Sequence, residues 1–116
     1  MNKRQTGTEY EQRAAQLLAE RGYRIMERNF RCRQGEIDLI AEDGEYLVFV
    51  EVKYRQDEQM GRSTEAVNFR KQQRIIRSAR YYLLCHPNER ERPCRFDVVA
   101  FQGEEAELFQ DAFWCG

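Results

Sequence analysis

The sequence of 116 residues predicts a single α/β domain in which helices flank a mixed β-sheet. Three observations predict this class. Two segments place apolar residues three or four positions apart, as helices do, and four others show the alternating or β-branched pattern of strands. These segments follow the order helix, three strands, helix, strand, which is typical of one layered α/β core. The chain is long enough to bury that core without metal or disulfide crosslinks.

The first helix is predicted at residues 8–21, where an apolar stripe is followed by a glycine that can end the helix. The stripe consists of Tyr10, Ala14, Leu17 and Leu18. Thr8 and Glu11 have the spacing of a capping box at its start, and so do Thr6 and Glu9. Glu11 also lies at the margin of the apolar face, so its alternative role is a carboxylate aimed at a metal ion.

Three strands are predicted next, at residues 23–30, 36–41 and 46–54. Asp43 and Gly44 are a strong hairpin turn signal between the last two strands. A two-residue loop at this position pairs Glu42 with Glu45, and this pairing determines which side chains of the hairpin share a face.

This register brings acidic side chains together on one face of the hairpin. It places Glu36 opposite Glu51 and Asp38 opposite Phe49, and side chains alternate between faces along each strand. One face then carries Glu36, Asp38, Ile40, Leu47, Phe49, Glu51 and Lys53. The other face carries the core residues Ile37, Leu39, Val48, Val50 and Val52.

The three acidic groups on one face need compensation, because like charges opposed across strands destabilise a sheet. A divalent cation would supply it, since carboxylate oxygens suit Mg²⁺ or Mn²⁺. Lys53 would help to neutralise the same face. The alternative is an ordinary solvated face on which Glu51 and Lys53 form a neighbouring ion pair.

A second helix is predicted at residues 68–84, with Asn68 as its N-cap. Lys71 falls on the apolar stripe of this helix, four residues before Ile75 and eight before Ala79. A lysine in that place either extends to the edge of the buried surface or reaches an anionic ligand or the carboxylates.

The chain after the second helix is predicted to form one more strand at residues 95–101, followed by a turn at residues 103–107. The final segment, "LFQDAFWCG", is a candidate edge strand, and its pattern does not decide the matter.

Arginines cluster in two segments, "RGYRIMERNFRCR" and "RKQQRIIRSAR". The first 80 residues hold 16 Lys and Arg against 13 Asp and Glu, whereas the remainder is acidic. Basic patches of this kind attract phosphate backbones. The alternative is that the arginines lie on helix faces that are simply exposed to solvent.

The four cysteines form no CxxC pair, which is typical of reduced thiols in a cytosolic protein. Two alternatives are a metal site formed by Cys85, His86 and Cys94, and a cysteine nucleophile. The N-terminus lacks the apolar core of a signal peptide, and no apolar run is long enough for a transmembrane helix. We therefore expect a cytoplasmic protein.

Asp38, followed after twelve residues by Glu51, Val52 and Lys53, resembles the D…ExK signature of the PD-(D/E)xK nuclease superfamily. The longer stretch "RNFRCRQGEIDLIAEDGEYLVFVEVKYR" resembles the uncharacterised bacterial family typified by YraN, which is similar in fold to Holliday-junction resolvases and restriction endonucleases. Other matching residues are Gly7, Glu11, Ala14, Ala15, Gly22, Tyr23, Gly61, Ala66, Val67, Lys71, Ala79 and the segment "RFDVV". Tyr10 departs from the family pattern, which has glycine there, and Glu9 becomes the fallback for Glu11.

The resemblance implies a restriction-endonuclease-like αβββαβ core and a metal-dependent hydrolase. Asp38 and Glu51 would bind Mg²⁺ or Mn²⁺ with the backbone carbonyl of Val52, and Lys53 would activate the attacking water or stabilise charge. The accessory catalytic residues would be Glu11 and Lys71. Glu36 belongs to the family motif without a standard role, and its expected partner is Lys53 or Arg33.

The function that we expect is hydrolysis of phosphodiester bonds in DNA, including branched recombination or repair intermediates. The nucleic-acid-binding residues would be Arg28, Arg31, Arg33, Arg55, Arg70 and Arg74. A homodimer is a further expectation, because related resolvases act on two strands. The alternatives are a non-catalytic nucleic-acid-binding or assembly module on the same fold, and a protein-interaction domain.

Overall fold

The computed structural model describes residues 3–55 and 67–113, which form an α/β domain with a five-stranded mixed sheet flanked by two helices. The elements are α1 (Lys3–Glu20), β1 (Arg24–Cys32), β2 (Gly35–Asp43), β3 (Tyr46–Arg55), α2 (Phe69–Cys85), β4 (Cys94–Gln102) and β5 (Glu105–Phe109). The strand order is β1-β2-β3-β4-β5, and all neighbours are antiparallel except β3 and β4. The predicted fold class is therefore confirmed. In the described ranges, neither helix has the length and apolarity required to cross a membrane.

The first helix starts earlier than the sequence pattern indicates. It begins at Lys3, so Thr8 and Glu11 lie inside α1 and the predicted capping box is wrong. The same is true of the alternative pair Thr6 and Glu9. The helix stops as expected at Gly22, which has a φ of 93°. Because Glu11 has no capping role, its carboxylate is available to the sheet.

The β2–β3 hairpin has the predicted two-residue loop, but the loop is Gly44 and Glu45, and Asp43 pairs with Tyr46. Gly44 occupies the loop because it adopts a positive φ of 61° without steric cost. The residue opposite Phe49 is therefore Ile40 rather than Asp38, and the predicted opposition of Glu36 and Glu51 is wrong as well. The shift changes the pairing sum by an even number, so the faces predicted for the hairpin from Leu39 onward are retained.

Both faces of the sheet are buried, one against each helix. The core cluster between the sheet and α1 includes Ala14, Ala15, Leu18, Leu39, Ala41, Val48, Val50, Val52, Val99 and Phe101. The core cluster between the sheet and α2 includes Ile37, Ile40, Leu47, Phe49, Ile75, Ile76, Ala79, Tyr82, Phe96, Val98 and Phe113. Ile37 was expected to share a face with Leu39, but the two residues pack in different clusters. The alternation of β2 is thus interrupted at Asp38, the residue between them.

Helix α2 begins one residue after the predicted cap. The Asn68 side chain accepts a hydrogen bond from the backbone N–H of Lys71 at 2.9 Å, and the helix ends at a cap formed by His86. Its buried residues are Ile75, Ile76, Ser78, Ala79 and Tyr82. The first turn of α2 is therefore fixed, and with it the position of the Lys71 backbone.

Ser78 is fully buried on α2, and among the described residues its hydroxyl has no hydrogen-bond partner. It packs close to Gly35, where an added Cβ would lie 3.3 Å from the Ser78 Oγ. A Ser78→Ala substitution should raise the free energy of unfolding by about 1 kcal/mol, because an unpaired buried hydroxyl is costly. Urea denaturation followed by circular dichroism would measure this. A lower stability for the variant would mean that the hydroxyl makes a hydrogen bond.

The C-terminal segment forms an edge strand earlier than predicted. Gly103 has a φ of 62° and makes a tight turn with Glu104, so the turn predicted at residues 103–107 is too long. Strand β5 pairs with β4 from Gln102 and Glu105 onward. Beyond β5, the backbone N–H of Ala112 bonds the carbonyl of Phe96 at 2.7 Å. Cys115 lies outside the described residues.

A polar network is buried around Asp97 of β4. The fully buried Asp97 carboxylate accepts hydrogen bonds from the Tyr23 hydroxyl at 2.7 Å, from Arg95 Nε at 2.9 Å and from the backbone N–H of Asp111 at 2.9 Å. Arg95 also donates to Asp43 at 2.8 Å. Burial, followed by the hydrogen bond to Asp97, raises the pKa of Tyr23 to about 12. The network joins the end of α1, the β2–β3 turn and the segment after β5.

Candidate functional site

The candidate site lies where β2 and β3 stop pairing. Their described register ends at Leu39 and Val50, although both strands continue. Beyond that point, carboxylate oxygens of Glu11, Glu36 and Asp38 lie within 4.8 Å of one another. Helix α1 contributes the first of these groups and β2 the other two.

Asp38 is the centre of the cluster. Its side chain is 8% exposed, and its Oδ2 accepts the backbone N–H of Val52 at 2.8 Å. A side-chain carboxylate thus takes the place of a strand carbonyl as the acceptor for β3. Burial raises the pKa of Asp38 well above its usual range, and the hydrogen bond with Glu51 and the charge of that group raise it further. The two carboxyl groups therefore adjoin each other.

Glu51 is equally buried, at 7% exposure, and it forms an ion pair with a lysine of α2. The Lys71 Nζ lies 3.6 Å from the Glu51 Oε2, and the lysine side chain is about half exposed. The position of Lys71 on the apolar stripe thus leads its ammonium to the carboxylates, which was one of the two alternatives for this residue.

Glu11 and Glu36 form the outer side of the cluster. Glu36 is exposed, and its Oε2 accepts a hydrogen bond from Arg31 Nε at 2.7 Å, so its arginine partner is Arg31 rather than Arg33. Burial raises the pKa of Glu11, and hydrogen bonding from the Asn29 side chain opposes that rise. Asn29 was not predicted to take part. The only sequence signal for it is that asparagine tolerates a positive φ, here 54°.

Lys53 follows Glu51 by two residues in β3 and is half-buried. Strand alternation places it on the face of Glu51, because the intervening Val52 packs toward α1. The next residue, Tyr54, also belongs to the α1 side. The structure therefore brings Lys53 to the same side of the sheet as Glu51, as the hairpin pattern predicts.

Tyr10, the departure from the family pattern, packs on the α1 face. Its ring stacks on Tyr54 with centroids 4.4 Å apart and lies 5.1 Å from the ring of Phe101. The tyrosine thus fills space next to β3 without displacing Glu11 from the acidic cluster. Glu9, the fallback residue, is exposed and lies outside that cluster.

The predicted nucleic-acid-binding arginines lie on two neighbouring elements. The exposed members are Arg28, Arg31, Arg33, Arg70 and Arg74. Gly35 brings the β1–β2 hairpin close to α2, because a Cβ there would lie 3.6 Å from the Arg74 Cβ. Helix α2 carries five Lys and Arg and no acidic residue. Only the backbone of Arg55, at the end of β3, is among the described parts of the chain.

The residues at this site fit a hard divalent cation. The donors are carboxylate oxygens, which Mg²⁺ and Mn²⁺ prefer. Burial and the neighbouring Glu51 raise the pKa of Asp38, so the carboxyl group tends to keep its proton. A bound cation would offset the repulsion between the two carboxylates in place of that proton. In the described ranges, no group of cysteines and histidine has comparable spacing. Cys85 and Cys94 are exposed, the Cys94 Sγ donates to the Arg92 carbonyl at 3.6 Å, and the His86 Nδ1 bonds the Tyr82 carbonyl at 2.8 Å.

The fold and the site define a class of small α/β domains that hold an acidic cluster where two sheet strands separate. Comparison with known proteins identifies the family within this class. The profile of "Uncharacterised protein family UPF0102" matches residues 10–101, and the chain belongs to this family. This is the YraN-type family that the sequence resembles.

Relatives named UPF0102 protein match nearly the whole chain. The one from Lachnoclostridium phytofermentans is 50% identical over 113 residues, covering 97% of this chain and 96% of the relative. The one from Alcanivorax borkumensis is 46% identical over 111 residues, with coverages of 94% and 89%. The one from Fusobacterium nucleatum is 37% identical over 114 residues, with coverages of 98% and 95%. Their names state the family and no activity.

Proposed function

We propose that this protein is a metal-dependent nuclease that hydrolyses phosphodiester bonds of DNA in the cytoplasm. The observation that carries the proposal is the adjacency of two buried carboxyl groups, Asp38 and Glu51, with the Lys71 ammonium 3.6 Å from Glu51. Strand alternation also places Lys53 on the same side of the sheet as Glu51. Such an arrangement is unfavourable for folding alone, because burying neighbouring like charges costs free energy. Groups of this kind are concentrated at functional sites.

The carboxylates of Asp38 and Glu51 would hold the metal ion. The backbone carbonyl of Val52, the residue after Glu51, would be the third protein ligand. A bound Mg²⁺ or Mn²⁺ would polarise the phosphate and lower the pKa of a bound water. Lys53, on the face of Glu51, would orient that water or stabilise the negative charge that develops on the phosphate.

The remaining residues of the cluster have supporting roles in this proposal. Glu11 adds negative charge from α1 and can hold a water on the metal. Lys71 contributes a positive charge from α2. The Arg31–Glu36 ion pair keeps the outer carboxylate of the cluster in place at 2.7 Å.

The arginines around the site would bind the nucleic acid through its phosphates. Those of the β1–β2 hairpin and of α2 meet near Gly35, so both elements can contact one backbone that crosses the acidic cluster. Contacts of this type position a nucleic acid without reading its sequence. We therefore propose substrates that are recognised by shape, with branched DNA as the first to test.

Incubation of the purified protein with linear, single-stranded and branched DNA, and with RNA, tests the proposal. Cleavage should require Mn²⁺ or Mg²⁺ and should be lost in the Asp38→Ala and Lys53→Ala variants. A Glu107→Ala variant, which changes an exposed acid on β5, should cleave as the wild type does. Cleavage that persists in both site variants would come from a contaminant and would refute the proposal.

A further inference from the structure

The cation that contacts Glu51 in the structure is a side chain of the protein itself. The Lys71 ammonium lies 3.6 Å from a carboxylate that is almost fully buried, while about half of the lysine side chain is exposed. The lysine thus enters the cluster from the solvent side. A buried carboxylate needs such a partner, because an isolated buried charge is expensive.

Only the side chain of Lys71 can change its place. Its backbone N–H is bound by the Asn68 side chain at 2.9 Å, and the N–H of Gln72 bonds the Asn68 carbonyl at 2.9 Å. The first turn of α2 is held by these bonds. The four-carbon stem of lysine, in contrast, is flexible and carries a compact, strongly hydrated charge.

The neighbours of Lys71 on α2 determine where a displaced ammonium would lie. Arg70 precedes it and Arg74 follows one turn later, both exposed, and the helix has no acidic residue that could bind the released lysine. Once Asp38 and Glu51 hold a divalent cation, the ammonium faces a like charge at its present position. The displaced ammonium would then be most favourable on the open side of the site, where the arginines would bind a phosphate.

We propose that Lys71 is an exchangeable positioning residue, which neutralises Glu51 until a divalent cation binds and then turns to a phosphate of the nucleic acid. This inference rests on the proposed function and adds the order of events to it. It also separates Lys71, on α2, from Lys53, which lies on the same strand as Glu51.

Titration of Mn²⁺ into the intact protein, followed by calorimetry, tests the exchange without measuring cleavage. The Lys71→Met variant should bind Mn²⁺ about fivefold more tightly than the wild type, since the competing half-exposed ion pair is lost. Lys71→Arg keeps the charge and should bind as weakly as the wild type. Arg80→Met, a matched loss of an exposed charge further along the same helix, should leave Mn²⁺ affinity unchanged.

A second measurement follows the ammonium directly. In the wild-type protein, the NMR resonance of the Lys71 side chain should shift when MgCl₂ is added. Equal or weaker Mn²⁺ binding by Lys71→Met, or an unchanged Lys71 resonance at saturating Mg²⁺, would overturn the exchange. If the exchange is observed but no substrate is cleaved, the inference stands and the nuclease proposal fails. A wild-type protein that binds no divalent cation rejects both.

Discussion

The Asp38→Asn substitution should reduce divalent-metal affinity and cleavage by more than about 100-fold while leaving the protein folded. Residues that only support a metal ligand cost 10- to 100-fold when removed, so loss of a ligand should cost more. The amide oxygen can still accept the Val52 N–H that Asp38 now binds at 2.8 Å. Calorimetric titration with Mn²⁺ and cleavage assays would measure the losses, with Glu107→Gln as an exposed control.

The Asp38→Asn variant should be more stable than the wild type at neutral pH. The direction of this difference follows from the raised pKa of Asp38. The pKa of Asp38 is raised in the folded protein, so between its unfolded value of about 4 and the folded value the native state holds more protons. The free energy of unfolding contributed by Asp38 therefore decreases as the pH rises through that interval. The stability difference between Asp38→Asn and wild type should be small near pH 4 and grow at higher pH in urea denaturation. A difference that shrinks with pH would contradict the assignment.

The Asp97→Ala substitution should cost about 3–5 kcal/mol of folding stability. It leaves the nearly buried Arg95 guanidinium without its bidentate partner and removes the acceptor for the Tyr23 hydroxyl and the Asp111 N–H. That loss is a large part of the 5–15 kcal/mol typical of a small domain. Urea denaturation monitored by circular dichroism would give the value.

Two further variants make the Asp97 measurement interpretable. Asp97→Asn keeps the shape and an acceptor oxygen, so its loss should be smaller, and it provides the comparison if the alanine variant does not fold. Asp111→Asn changes an exposed side chain at a residue with a φ of 55°, where asparagine is tolerated, and should have little effect. A loss below about 1 kcal/mol for Asp97→Ala would show that the network is not a major source of stability.

The faces of the β2–β3 hairpin from Leu39 onward could be predicted because they depend only on whether the pairing sum is odd or even. The exact register could not, since Gly44 can form a two-residue loop with either Asp43 or Glu45, and its positive φ suits both loops. The interruption of β2 at Asp38 was also beyond the pattern, because it arises when a side chain, instead of the backbone, accepts a β3 hydrogen bond.

The helices differ in how well their site residues could be predicted. Lys71 is placed by a strong apolar period and a capping asparagine, and both are local signals. The start of α1 depends on small propensities summed over residues 3–7, so the capping-box spacing of Thr8 and Glu11 was misleading. The pairing of Arg31 with Glu36 depends on the β1–β2 register next to the turn, where β1 extends past its predicted end at residue 30 and places these two residues opposite each other.

The hydrogen bond between Asp38 and the backbone of Val52 affects how the residue at this position is interpreted in related proteins. A related protein without catalytic activity would still need a hydrogen-bond acceptor at this position, so an aspartate here can serve folding as well as activity. An asparagine would satisfy the backbone equally and would spare the chain a buried repulsion. An aspartate is therefore expected at this position where its charge is used, and an asparagine where only the backbone has to be satisfied.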